Sequence, residues 1–219
     1  MKRPSFTLLE LVIVIILIAI LAFSINISIP DNRLQVASDV IKNYLNYTRS
    51  LALKDDKFMP FPESNNSVET NKSKKWFRRF WQLKIGKTSN NNFFIQVYTD
   101  SDLNSSISVN DYAKNPLNGK YIDGNYSAST ADRDANLSNF GITNITYKYK
   151  DTEYNITSHG FHFYFDNYGN VFINKNDNNN SNIFKNMKLL TSNIELNITQ
   201  NNKSKIIVIT PTGYSYIKK

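Results

Sequence analysis

Between Leu11 and Phe23 no side chain is polar. The apolar character begins at Phe6 and extends, diluted by Ser24, Asn26 and Ser28, to Ile29. At about 1.5 Å per residue, a helix over Phe6–Ile29 reaches across a hydrocarbon core of roughly 30 Å. The spacing therefore predicts a transmembrane helix over 6–29. Lys2 and Arg3 precede it, and cations stay on the cytoplasmic side, which leaves the C-terminal domain outside. A secretory signal peptide is the competing reading. It requires a shorter apolar core followed by a small-residue cleavage site, and Asn26-Ile27-Ser28 matches that poorly.

Glu10 interrupts the apolar stretch. A carboxylate within an apolar helix costs about 3 kcal/mol on insertion scales, so it needs a partner or a function. The surrounding residues are Phe6-Thr7-Leu8-Leu9-Glu10-Leu11-Val12. This segment resembles the N-terminal motif of type IV prepilins and type II secretion pseudopilins. The resemblance implies a leader over 1–5, cut between Ser5 and Phe6 by a prepilin peptidase, with N-methylation of the new Phe6 amine. It also implies that Glu10 serves assembly by pairing with the N-terminal amine of a neighbouring subunit. The family carries Gly before the cut, whereas this chain has Ser5, preceded by Pro4.

Pro30, with its fixed φ, marks a kink, and beyond it Asp31 or Asn32 can cap a renewed helix from Arg33 to about Lys57. Leu34, Ala37, Val40, Ile41, Tyr44, Leu45, Thr48, Leu51 and Ala52 recur at three- and four-residue steps, which makes an amphipathic face that a sheet must cover. The segment 30–58 is thus expected to continue into a β-rich domain over 59–219. Pro60 and Pro62 end the helix, and Glu63 to Ser73 reads as loop. Trp81 to Ile85 alternates and Phe93 to Tyr98 is rich in β-formers. Asp100 to Asn139, with few apolar anchors, reads as a long excursion or partly disordered loop. Strands resume at Ile145 to Tyr149. Gly160 to Ile173 reads as a hairpin turning at Asn167-Tyr168-Gly169-Asn170. Leu189 to Ile198, Ile206 to Ile209 and Tyr214 to Ile217 close a meander. Leu45 to Ala52, Phe165 to Asn170 and Ile209-Thr210-Pro211-Thr212-Gly213-Tyr214 are similar to segments of the GspH/FimT group of minor pseudopilins. The expected fold is α+β and pilin-like: a long N-terminal helix, half transmembrane, packed on an antiparallel sheet.

Twelve Asn-x-Ser/Thr sequons are present, and eight carry an acidic residue two places before the Asn. With 18 acidic residues in 219, the coincidence is far above chance. Asp/Glu-x-Asn-x-Ser/Thr resembles the acceptor of a bacterial periplasmic oligosaccharyltransferase, and such sites must be exposed and outside the cytoplasm. Asn65, Asn71, Asn104, Asn125, Asn136 and Asn179 are the glycosylation candidates, with Asn155 and Asn197 less suited because they fall in or near strands. The alternative is that Asn-rich loops generate the pattern by composition. These signals together predict a single-pass inner-membrane protein with a periplasmic C-terminal domain.

The chain is basic, at +8; removing Lys2, Arg3 and Glu10 leaves 24 cations against 17 acids, or +7, for the rest. A basic excess favours polyanionic partners. Lys72, Lys74, Lys75, Arg78 and Arg79, with Lys84 and Lys87 nearby, surround Trp76, Phe77, Phe80 and Trp81. Cations reach phosphates and exposed aromatics stack on bases, so this cluster is a candidate DNA contact. The alternative is a strand edge with aromatics packed inward and cations solvated. Asp100-Ser101-Asp102 and Asp132-Arg133-Asp134 space oxygens like the start of a calcium loop, but the sixth-place Gly and twelfth-place Glu are missing. His159 and His162 are the only histidines and there is no cysteine, so no thiolate metal site or disulfide framework is possible. No P-loop, nucleophile elbow or metalloprotease motif is found. The expectation is a non-enzymatic protein without metal or cofactor: a minor pseudopilin of a type II secretion or type IV pilus-like machine, serving DNA uptake. By resemblance, its partners are other pseudopilins, the prepilin peptidase, the platform protein, the assembly ATPase and the membrane. Protein secretion, a surface pilus or a tethered binding role are the alternatives.

Overall fold

The computed structural model describes residues 7–24, 31–57, 66–73, 75–104, 106–126, 128–174 and 187–218. Two compact units result, Met1–Asp31 and Asn32–Lys219.

The first unit contains helix α1, Leu8–Ser24. Its 17 residues rise about 25 Å at 1.5 Å each, short of a hydrocarbon core of about 30 Å. Helix α2, Arg33–Lys54, is longer, but Arg33, Asp39, Lys42, Arg49 and Lys54 interrupt its apolar positions. Among the described residues no helix is long and apolar enough to cross a membrane. That finding overturns the expected transmembrane helix and, with it, the single-pass inner-membrane placement.

The second unit is mostly sheet. Strands β1 (Trp81–Lys87), β2 (Phe93–Tyr98), β5 (Phe161–Phe165), β6 (Val171–Asn174) and β7 (Met187–Leu189) form one antiparallel sheet in the order β2-β1-β5-β6-β7. Strands β3 (Asn144–Tyr149), β4 (Thr152–Asn155), β8 (Ile194–Gln200), β9 (Lys203–Ile209) and β10 (Ser215–Ile217) form a second in the order β10-β9-β8-β3-β4. The expected pilin-like chain, with one long N-terminal helix packed on an antiparallel sheet, is therefore corrected. Two five-stranded sheets dominate, and the helices are separate elements.

The local causes are plain for several elements. Helix α2 buries Leu34, Ala37, Ser38, Ile41, Tyr44, Leu45, Thr48 and Ala52, a stripe at three- and four-residue steps. Asn32 holds its N-cap position, although its side chain makes no capping bond. The stripe seats on β1 of the first sheet and on β8, β9 and β10 of the second. Ile41 and Leu45 are wholly enclosed, and burying each contributes about 1.5–3 kcal/mol. Two-residue turns at Lys150–Asp151 and Asn201–Asn202 join β3 to β4 and β8 to β9, with Lys150 and Asn201 left-handed. In β8, Ile194, Leu196 and Ile198 alternate inward, as a half-covered strand requires. The ring of Tyr147 in β3 stacks on Phe161 in β5 at 3.8 Å, so the sheets meet face to face.

Strand β2 is buried at every position. It is an edge strand, and the excursion after it covers that edge. Phe94 bridges Asn136, Gln96 bridges Asp123 and Tyr98 bridges Tyr112. Ile122 and Leu137 are wholly enclosed, so the excursion is an ordered flap of short 3-10 turns. Its link to α2 is polar. The Tyr44 hydroxyl donates to Asp132 Oδ2 at 2.7 Å, and Asn115 Nδ2 donates to the same oxygen. Asn118 Nδ2 and the Asp134 amide donate to Oδ1. A carboxylate this enclosed is tolerable because its acceptor positions are filled. Burial and then this carboxylate push the Tyr44 phenol far above its ordinary range.

Candidate functional site

Ser5 and Phe6 lie outside the described residues. The first residues of α1 are described, and they give Glu10 a local partner. Its carboxylate accepts from the Thr7 backbone N–H and from Thr7 Oγ1, both at 3.0 Å, while the Glu10 N–H donates to Thr7 Oγ1 at 3.3 Å. This reciprocal arrangement is a capping box, which satisfies donors that a helix start leaves orphaned. The hydrogen bonds, led by the Thr7 backbone N–H, hold the carboxyl below its ordinary value. The sequence carries the signal for it as Thr-x-x-Glu, which the prepilin resemblance overshadows. On either side of Glu10, from Leu8 to Ile20, α1 presents exposed apolar side chains. Leu8, Leu9, Ile15, Ile18 and Ile20 are each more than half exposed. An apolar surface of that extent marks an interaction site.

The cation–aromatic cluster divides. Lys74 lies outside the described residues, and Lys72 belongs to the short helix α3, Ser67–Ser73. Trp76–Arg79 form a 3-10 turn with Lys75 at its start. Phe77 and Phe80 are buried with Tyr164, and the half-buried Trp76 and Phe172 pack against them. Trp76 meets Phe80 edge-on at 5.2 Å. Trp81 donates from Nε1 to Asp55 Oδ2 at 3.0 Å. Arg78 is buried, 3.9 Å from the equally buried Asp100. Arg79 Nε donates to the Ser101 carbonyl at 2.9 Å. Among the described residues, Phe77 and Phe80 thus pack inward, and Arg78 and Arg79 engage Asp100 and Ser101 just after β2.

The sequon candidates also separate. Asn65 and Asn179 lie outside the described residues. Asn71, Asn104 and Asn125 are exposed, whereas Asn136 is half-buried and caps a 3-10 turn by accepting from the Ser138 N–H. Asn155 is exposed in β4, and Asn197 is half-buried in β8. Two of the acids preceding them bond locally, since Asp102 accepts from the Asn104 N–H and Asp123 from the Asn125 N–H. These are the side-chain turns that Asp and Asn favour. Among the described residues no group of three His, Cys, Asp or Glu can hold a metal ion. His162 lies inside β5, with Nδ1 3.2 Å from Gln82 Oε1 and 3.4 Å from the Tyr98 hydroxyl.

Three segments far apart in sequence converge in space. Arg49 of α2 donates from Nε to the Thr212 carbonyl at 2.7 Å. Gly169 and Gly213 both lie against its side chain, and a Cβ on Gly213 would fall 2.6 Å from the Gly169 carbonyl oxygen. Val171 N–H donates to the Pro211 carbonyl, and Ser215 Oγ to Asn46 Oδ1. Arg49 thereby clasps the turns between β5 and β6 and between β9 and β10, which gives these segments a structural role. No protein-family model, curated protein or solved structure matches this chain.

Proposed function

We propose that this protein is a non-catalytic assembly subunit of the minor pseudopilin kind, in a type II secretion or type IV pilus-like machine. The observation that carries the reading is α1: an exposed apolar helix whose first turn holds the Glu10 carboxylate on Thr7. Helices of the same kind from neighbouring subunits would cover this surface. A neighbour's N-terminal amine would compete with Thr7 for the Glu10 carboxylate, so the capping box is the free-subunit state of the assembly contact. Prepilin peptidase, platform protein and ATPase are the implied partners.

DNA is the inferred cargo, on the basic excess of the chain. The inward packing of Phe77 and Phe80 and the burial of Arg78 favour a second reading, in which the subunit serves protein secretion or a surface pilus. N-glycans on Asn71, Asn104 and Asn125 are part of the proposal, since these acceptors are exposed. The test is natural transformation in a competent host lacking the gene, complemented with the wild type or with Glu10→Val. Loss in the deletion, rescue by the wild type and failure of Glu10→Val at normal expression support the subunit and its cargo. Full activity of Glu10→Val would sink the assembly role. Undiminished transformation in the deletion strain would remove DNA as cargo.

A further inference from the structure

An open cleft of about 500 Å³ lies where the end of the β1–β2 hairpin meets the excursion and the turn before β5. Phe94 and Gln96 of β2, Tyr112 and Asn125 of the excursion, and the hydroxyl-bearing Thr88 and Ser158 line it. Asn125 is also an exposed sequon asparagine, so a glycan acceptor forms part of the cleft itself.

The acceptor is held firmly at that rim. The Gly124 N–H donates to the Ile95 carbonyl at 2.8 Å, and a Cβ on Gly124 would collide with the Ala135 carbonyl. The backbone just before Asn125 is therefore wedged between β2 and a 3-10 turn. Asp123, the acid two places before the acceptor, accepts at Oδ1 from the Asn125 N–H at 3.2 Å and from Gln96 Nε2 at 2.8 Å. The same Gln96 nitrogen donates to the Tyr112 hydroxyl at 3.0 Å. The acid of the sequon thus ties the acceptor to the aromatic wall. Beneath it, a Cβ on Gly86 would collide with the Phe94 ring, so the missing side chain lets that ring fold down over β1.

A pyranose has an apolar C–H face that packs on aromatic rings and a rim of hydroxyls that bond to amides and alcohols. The cleft offers both kinds of partner, and its volume suits a ligand of one or two rings. A sugar joined to Asn125 arrives there by a short tether, which supplies an effective concentration in the millimolar range and makes a weak contact sufficient. We propose that this cleft seats the first sugars of an N-glycan on Asn125, with a pyranose face against Phe94 and Tyr112. The inference rests on the N-glycan part of the functional reading and adds where that glycan lies.

The test uses the full chain made with and without a periplasmic N-oligosaccharyltransferase in the expressing cell. Trypsin releases the peptide 121–133, in which Asn125 is the only acceptor, and its mass reports modification. Proton through-space contacts from the first sugar to the rings of Phe94 and Tyr112 are expected. The glycosylated chain should unfold about 2–4 °C higher than the unglycosylated one, a gain that Asn125→Gln removes and Asn71→Gln, in α3, keeps. Without the transferase, Asn125→Gln and the wild type should unfold together. Modification of Asn125 without those ring contacts, or with no gain in Tm, overturns the seating while the glycan reading stands. An unmodified 121–133 in a chain glycosylated at Asn71 overturns the proposal at this site alone. A chain modified nowhere overturns the glycan reading and this inference with it.

Discussion

Gly213→Ala tests whether the Arg49 clasp organises the closing strands. Gly213 has φ +76, and a new Cβ would lie 2.6 Å from the Gly169 carbonyl oxygen and 2.8 Å from Arg49 Cδ. The left-handed backbone alone costs an L-residue roughly 1–2 kcal/mol. The collision adds about 1–3 kcal/mol, because a backbone oxygen cannot swing aside as a side-chain tip can. Reduced unfolded-state freedom returns about 0.4–1 kcal/mol. The expected net loss is about 2–4 kcal/mol, or roughly 5–15 °C in Tm for a unit of this size. Gly119→Ala is the control, since Gly119 has φ +70 and nothing within 4 Å of the new Cβ. It should show the backbone penalty only, about 1 kcal/mol. Thermal unfolding of the full chain followed by circular dichroism compares the two. If Gly213→Ala loses no more than Gly119→Ala, the close packing of Gly213 on Gly169 and Arg49 is refuted.

Arg78→Ala should lower stability in urea by about 3–5 kcal/mol, because it removes one side of a buried ion pair with Asp100, whereas Lys75→Ala should stay within about 0.5 kcal/mol. Asp132→Ala should cost about 2–4 kcal/mol by orphaning the Tyr44 hydroxyl and the Asn115 amide in a buried site, which chemical denaturation will read. The carboxyl of Glu10 lies below its ordinary 4.5 in the folded chain, so its capping contribution is fully present above that pH and disappears as pH falls through the lowered value. Amide shifts of Thr7 and Glu10 between pH 6 and pH 2 should follow one titration with a midpoint below 4.5; a midpoint at or above 4.5 would remove the capping box.

Local pattern made part of this fold legible. The stripe on α2 follows from helical spacing alone, and the β5–β6 turn follows from Asn167 to Asn170. The pairing of β1 with β5 does not, because it joins Gln82 to Tyr164 across the whole excursion and no local period encodes that register. The excursion reads as loop because its large anchors, Ile122 and Leu137, are few and far apart, and the others, Ala113, Ala131 and Ala135, carry little apolar signal. Its main polar contact with α2, Tyr44 to Asp132, spans 88 residues. The cation cluster misleads for a similar reason, since Arg78 finds Asp100 only after two strands have formed. At the N-terminus the apolar run predicts a helix over 6–29; the described α1 covers Leu8–Ser24, and Phe6 and 25–29 lie outside the described residues. The need of the Glu10 carboxylate for a partner is legible, and so is Thr7 as its supplier, three residues before it.

The seating of α2 has a consequence for the order in which the protein is made. Arg49 reaches its acceptor Thr212 across 163 residues, and Asn46 meets Ser215 across 169. A ribosome releases the helix well before these partners, which follow 163 and 169 residues later. During synthesis the stripe of Leu34, Ile41 and Leu45 must wait without its full cover, which is the situation that recruits chaperones and slows folding. Loss of the segment from Thr212 to Ser215 would therefore leave α2 without part of its cover.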